Sequence, residues 1–244
     1  LWASRGWKEG ITMFITGHRG ARAAAPENTL AAIRIGMGCA DFVEVDARLT
    51  RDRVPVVIHD ATLERTTSGR GPVASCSLED LLQLDAGSGE HIPSLREVCD
   101  LVREIGEGCG LFVEIKDPGS EDEVFGVLRE AAPRPLWVVS FHASSVAAAK
   151  HALSQATAGL IYSRALADPL GAAASAGAGA ILPRFDLLLP GLAVQAHDQG
   201  LLVVPWVLNR PEEWERAVEY GVDGFATDDP CRAAGWMKKE ISRA

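Results

Sequence analysis

Two short stretches place acids two residues apart inside strand-like runs. One reads Phe42, Val43, Glu44, Val45, Asp46; the other reads Phe112, Val113, Glu114, Ile115, Lys116. Side chains two apart on a strand share a face. Val43, Val45, Val113 and Ile115 therefore face one layer, and Glu44, Asp46, Glu114 and Lys116 face the other. Three converging carboxylates with one lysine are costly to bury without a counter-ion. An oxygen-only ligand set suits one hard divalent cation, Mg²⁺ or Ca²⁺. The same four residues could instead form a carboxylate–cation network with no metal, and the spacing alone leaves both readings open.

Two histidines stand at the ends of strand-like runs. His18 follows the first run, in Thr16-Gly17-His18-Arg19-Gly20, and His59 closes another, in Val57-Ile58-His59-Asp60. Imidazole titrates near neutrality, so such a pair can act as base and acid. Arg19 supplies a planar fork that fits phosphate oxygens. Trp206 ends a later run, as an apolar wall beside a ligand or as a cap on the core. Arg65, Thr66 and Thr67 lie within reach of the same region. His91, His142, His151 and His197 read as structural or surface residues. Asp228 and Asp229 precede Pro230 and a helix, where N-capping is the expected role. No Walker A loop, GxGxxG fingerprint or GxSxG elbow occurs, so neither a nucleotide cofactor nor a serine triad is expected.

Something must hold these residues on one surface, and the order of elements supplies it. Strands are expected at 14–17, 42–49, 111–116, 136–141, 159–162, 180–185, 202–207 and 224–227. Helices are expected at 28–38, 94–105, 121–131, 144–154, 168–176, 190–199, 211–220 and 230–241. Eight strands, each followed by a helix, is the order of a (β/α)8 TIM barrel, whose active sites lie at the strand ends. Helix starts agree: Asn28 or Thr29 can cap the first, Ser94 and Glu97 form a capping-box pattern, and Asn209 precedes Pro211. The run 54–59 comes too soon after 49 for a parallel crossover, which needs about a dozen residues. It is expected to turn back as a hairpin. The aperiodic stretch 60–93 then becomes a small irregular insertion between the second and third barrel strands, lying over the mouth. One domain over 13–241 follows, with 1–12 as an N-terminal extension.

The 244 residues suffice for one such barrel, and a formal charge of -9 argues against nucleic-acid partners and stable membrane association. No apolar run approaches the roughly 20 residues of a membrane helix. Cys39, Cys76, Cys99, Cys109 and Cys231 form no CxxC pair, and free thiols in a reducing, cytoplasmic setting are expected.

Taken together, GHRG at 17–20, PENT at 26–29, EVD at 44–46, IHD at 58–60, ERTT at 64–67 and EIK at 114–116 resemble the glycerophosphodiester phosphodiesterase family. The resemblance runs from about Met13 to Pro230. It implies metal-dependent hydrolysis of a small glycerophosphodiester to glycerol 3-phosphate and an alcohol. It implies Glu44, Asp46 and Glu114 as ligands of one Mg²⁺ or Ca²⁺, His18 and His59 as the acid/base pair, and Arg19 and Lys116 on phosphate. The chain departs from the family pattern at Arg53, where glycine is frequent, and at Val207, where threonine is common. Other readings of the same residues are a lysophospholipase D or phosphatidylinositol phospholipase C-like enzyme acting on lipid, and a non-catalytic barrel that binds a phosphate ligand.

Overall fold

The computed structural model describes residues 13–105 and 108–241, so the expected extension 1–12 lies outside the described residues. Alternation along the strands sets the layers. In β1 (Phe14–Gly17), Ile15 points out to the helices, while Phe14 points into the interior. In β2 (Phe42–Leu49), Val43 and Val45 point out, and in β4 (Gly110–Ile115), Leu111 and Val113 do the same. The inward set begins with an aromatic floor. Phe14 and Phe42 lie 5.0 Å apart between ring centroids, and Phe112 stacks on Trp137 at 4.5 Å. Such pairs add about 0.5–1.5 kcal/mol each beyond their buried area. Truncating Phe112 to alanine would cost about 3–5 kcal/mol.

The remaining barrel strands are β5 (Leu136–Ser140), β6 (Thr157–Tyr162), β7 (Ala180–Pro183), β8 (Leu202–Val203) and β9 (Gly224–Thr227). Parallel pairing runs in the order β8-β7-β6-β5-β4-β2-β1-β9. Three backbone bonds bring the ends together: Asp223 N to Val203 O at 3.0 Å, Ala226 N to Pro205 O at 3.0 Å, and Leu208 N to Ala226 O at 2.9 Å. The strand expected over 202–207 is regular only through Val203, because Pro205 has no N–H for the ladder. A single bridge from Trp206 to Arg184 carries the pairing onward.

The outer layer contains α1 (Leu30–Cys39), α3 (Leu95–Ile105), α4 (Glu121–Ala131), α5 (Ala143–Ala152), α6 (Pro169–Ser175), α7 (Leu192–His197), α8 (Pro211–Glu219) and α9 (Pro230–Ile241); the insertion holds α2 (Leu78–Leu82). Thr29 caps α1, its hydroxyl accepting from Ala32 N. Ser94 and Glu97 form the expected reciprocal pair, with Ser94 N donating to Glu97 Oε2 at 2.8 Å and Glu97 N to Ser94 Oγ at 3.2 Å. No helix among the described residues is long and apolar enough to cross a membrane.

The run after β2 turns back as expected. β3 (Pro55–Val57) pairs antiparallel with β2, with Ala47 opposite Val57. Arg53 sits in the turn at φ 60°, the left-handed region that glycine enters without strain. Its guanidinium compensates by pairing with Glu123 on α4 at 2.5 Å. The insertion has a small core of its own, in which Leu63, Val73, Leu81, Ala86 and Ile92 pack on Val56 and Ile58. These residues are too irregularly spaced to show a period in sequence.

The expectation of five free thiols needs correction. Cys39, the last residue of α1, forms a disulfide with Cys231, the second residue of α9, while Cys76, Cys99 and Cys109 are free. The partners are 192 residues apart in sequence, and only the neighbouring of the first and last strands brings them together.

Candidate active site

The turn after β1 is unusually tight. A Cβ on Gly20 would lie 2.5 Å from the carbonyl carbon of Ala32, and Gly20 sits at φ +81°, so no other residue fits without displacing α1. Arg19 also has positive φ, at 54°. This geometry turns the Arg19 backbone inward, where its N–H donates to Glu44 Oε2 at 2.8 Å. The Arg19 guanidinium lies 3.2 Å from Asp46 and 2.6 Å from Glu27.

Glu44, Asp46 and Glu114 come together as the strand register requires, with Asp46 directly opposite Glu114. One carboxylate oxygen from each lies within 4.8 Å of the other two. All three are buried, with side-chain Lys116 Nζ 2.6 Å from Glu114 and 3.3 Å from Asp46. Glu44 Oε1 is buried and accepts no hydrogen bond. An orphaned carboxylate oxygen inside an all-oxygen cluster is what a hard cation would satisfy, so the residues fit the metal that their spacing suggested.

Electrostatics divide the three acids. Burial, together with the neighbouring Asp46 and Glu114 charges, pushes Glu44 well above the usual carboxylate range. Burial and Asp46 likewise push Glu114 up to about 7. Burial acts on Asp46 too, but Lys116 and Arg19 outweigh it and bring its carboxyl below the usual range. Two acids thus hold protons more tightly than usual, a state that a divalent cation would reverse.

The two histidines flank this cluster, each held through Nδ1 by an aspartate. His18 Nδ1 donates to Asp228 Oδ1 at 2.7 Å, and His59 Nδ1 donates to Asp60 Oδ1 at 2.6 Å. A carboxylate only accepts, so the Nδ1 proton is fixed and Nε2 is the lone-pair nitrogen of each neutral ring. Burial lowers the pKa of both rings, against the pull of Asp228 on His18 and of Asp46 and Asp60 on His59. Both are therefore biased towards the neutral, proton-accepting form near pH 7.

One cleft joins His18, Arg19, Glu44, His59, Glu114 and Lys116 to an apolar wall that includes Phe141, Ile161, Leu182 and Trp206. Trp206 is tied down by its indole N–H, which donates to Leu182 O at 2.9 Å, and its ring meets Phe141 edge-on at 5.7 Å. Seven of the eight residues singled out in the sequence thus line one space, and the eighth, Asp46, is buried against Arg19 and Lys116. His142, His151 and His197 are exposed, and His91 pairs with Glu97 away from the cleft.

Three residues read as helix caps belong to the site instead. Asp228 holds His18, while Asp229 alone caps α9, accepting from Arg232 N at 3.0 Å. Asn209 donates to Asp228 Oδ2 at 2.9 Å and accepts from Asp228 N at 2.9 Å, so it orients that aspartate. Asn28 donates to Asp46 Oδ2 at 2.8 Å. A signal for Asp228 existed: in a closed barrel the first and last strands are neighbours, and Gly17 pairs with Thr227, so the next residues, His18 and Asp228, must sit side by side.

The chain matches the family model described as the glycerophosphoryl diester phosphodiesterase family over residues 18–232. It is 34% identical over 239 residues to a glycerophosphodiester phosphodiesterase of Caldanaerobacter subterraneus subsp. tengcongensis, covering 92% of this chain and 98% of that one. A Bacillus subtilis glycerophosphodiester phosphodiesterase is 29% identical over 248 residues, covering 87% and 82%. A phosphodiesterase of Oleispira antarctica, solved in complex with the product sn-glycerol-3-phosphate, superposes with a TM-score of 0.85 at 27% identity, over 92% of this chain and 96% of that one.

Proposed function

The chain belongs to the glycerophosphoryl diester phosphodiesterase family and is a glycerophosphodiester phosphodiesterase; on that premise we propose that its cleft releases sn-glycerol 3-phosphate and an alcohol by metal-dependent acid–base catalysis. The observation that carries the reading is one cleft bordered by two carboxylate-held histidines, two cations and a buried cluster of three acids. Glu44, Asp46 and Glu114 would hold one Mg²⁺ or Ca²⁺. When bound, the cation supplies positive charge against the phosphoryl oxygens.

The chain's own residues do the rest. Arg19 and Lys116 neutralise charge as it builds on the phosphoryl group, and a buried setting makes that worth more than it would be in water. Arg19 is fixed for this by Glu27 and Asp46, and Lys116 by Glu114 and Asp46. Nε2 of His18 takes the proton of the attacking hydroxyl, from water or from the glycerol itself. His59 acts in its doubly protonated form, which Asp46 and Asp60 favour against burial, and gives its Nε2 proton to the leaving alcohol oxygen, returning to the neutral ring held by Asp60. Trp206 and Phe141 border the carbon part of the substrate. Residues 13–241 act as one catalytic unit, with no nucleic-acid or stable membrane partner.

The test follows release of glycerol 3-phosphate from glycerophosphocholine, with EDTA, with restored Mg²⁺ or Ca²⁺, and with His18→Ala. Release that EDTA abolishes and one metal restores supports the reading; release indifferent to EDTA removes the metal from it. The apolar wall favours one second reading, a lipid phosphodiesterase. Turnover of lysophospholipid with none of the soluble diesters would put that reading first. A cytoplasmic enzyme, in turn, would hold Cys39 and Cys231 as thiols in the cell, because disulfides persist chiefly in oxidising compartments. Alkylation at lysis distinguishes the two: modified Cys39 and Cys231 support the cytoplasm, and a preformed disulfide counts against it.

A further inference from the structure

We propose that Arg65, contributed by the insertion, is a positioning residue that fixes His59 and Arg19 at once by gripping the carboxylate behind each. The inference rests on the acid–base reading above. Arg65 Nε donates to Asp60 Oδ2 at 2.5 Å and Nη2 to Asp60 Oδ1 at 3.1 Å. On its other edge Nη1 donates to Glu27 Oε2 at 3.0 Å and Nη2 to Glu27 Oε1 at 2.7 Å. Asp60 Oδ1 is the atom that holds His59 Nδ1, and Glu27 Oε1 is the atom that holds Arg19 Nη1. One planar group thus sets the separation of two carboxylates, and through them the aim of an imidazole and a guanidinium that both line the cleft.

Other contacts do not duplicate this. Arg48 also reaches His59, but it donates to the backbone carbonyl at 2.9 Å while gripping Asp117, so it fixes the main chain and leaves the ring free to turn. Arg22 lies 3.7 Å from Glu27, beyond a hydrogen bond. A lysine at 65 could not replace the fork, since an ammonium is a point charge without two parallel edges. The insertion therefore contributes to the reaction without touching the substrate, and it has no residue among the proposed catalytic groups.

The test is a kinetic cycle on the full chain with glycerophosphocholine and saturating metal, using Arg65→Ala, Arg65→Lys, Asp60→Ala and the Arg65→Ala/Asp60→Ala pair. Misplacing a reacting group by about 1 Å can cost roughly 100-fold, so kcat should fall about 10- to 100-fold in Arg65→Ala with KM within about threefold. The double variant should lose clearly less than the product of the two single losses, because the part of the Arg65 effect that runs through Asp60 is already gone in Asp60→Ala, while the part that runs through Glu27 remains. Millimolar guanidinium should restore part of the lost rate to Arg65→Ala, and ammonium should not. Should Arg65→Ala fail to fold, Arg65→Lys carries the test with the same expected loss. The proposal is overturned by wild-type kcat in Arg65→Lys, by multiplying effects in the double variant, or by a rise in KM alone. Nitrogen-15 spectra of the histidines give an answer that needs no substrate: the Nδ1–H signal of His59 should be lost in Arg65→Ala, and its persistence would overturn the proposal. A wild-type enzyme silent on every glycerophosphodiester would instead sink the functional reading, leaving Arg65 to be judged on that spectrum.

Discussion

The cleft has two unlike sides built from the same repeating unit. On one side, β1, β2, β4 and the insertion present charges, nearly every one paired: Arg19 with Glu27 and Asp46, Lys116 with Glu114, Asp60 with Arg65. On the other, β5, β6, β7 and the run after β8 present Val139, Ile161, Leu182 and Val204, with Phe141 and Trp206 beside them, and among the described residues this side brings no ionisable side chain to the cleft. The difference follows from what sits at each inward position of a strand. It teaches that the apolar side serves the charged one. A wall of low polarisability keeps water away from Arg19, Lys116 and the acids, and charges interact more strongly where water is excluded. The same wall gives an amphiphilic diester one way in, phosphate towards the charges and carbon towards the rings.

That division can be broken at its strongest point first. His18→Ala and His59→Ala should each lose at least about 100-fold in kcat, within the 10²–10⁴ typical of a general acid or base, with the circular dichroism spectrum unchanged. A variant within a few-fold of wild type removes that histidine from the chemistry. Asp228→Asn should cost roughly 10-fold or more in kcat, because an amide can present N–H to Nδ1 and stabilise the wrong tautomer; unchanged kcat would reduce Asp228 to a scaffold residue. On the apolar side, Trp206→Ala should raise KM roughly 3- to 10-fold and leave kcat within about threefold, as loss of hydrophobic contact does. A pure kcat effect there would mean that the wall acts on the chemistry and not on the carbon pole.

The smallest effect is thermal and depends on pH. Glu114 is raised to about 7 in the folded, metal-free protein, from an ordinary value near 4.5. A raised carboxyl contributes stability below pH 4.5 and loses it as pH rises through about 7. A cation restores the balance at high pH but must first displace protons at low pH. Mg²⁺ or Ca²⁺ at about 100 times its dissociation constant should raise Tm by about 5–10 °C at pH 8, and by less at pH 5.5. An increment that grows as pH falls would show that the cation binds elsewhere.

Much of this is legible in the amino-acid sequence. The two-residue spacing of Glu44, Asp46, Glu114 and Lys116 fixes their face, because a strand has only two. Barrel order follows from eight alternations, and the hairpin from a connection too short for a crossover. What stayed hidden depends on closure or on aperiodic packing. Asp228 and Asn209 carry good local capping patterns, and only the meeting of β1 with β9 diverts them to His18. Asn28 looks like a cap until its φ of 61° turns it towards Asp46. Arg65 sits in a stretch whose small core has no period, so its reach to Glu27, 38 residues away, has no trace in spacing. Cys39 and Cys231 escaped for the same reason as Asp228.

The Cys39–Cys231 bond has a consequence for the covalent form of the molecule. It turns residues 39–231 into a closed ring, and the insertion lies on that ring. A protease that cuts once within it, for instance in the exposed turn at Ser88 and Gly89, opens the ring without dividing the molecule. Such a nicked enzyme would keep its full mass in a denaturing gel run without reductant, and fall into two fragments only when thiol is added.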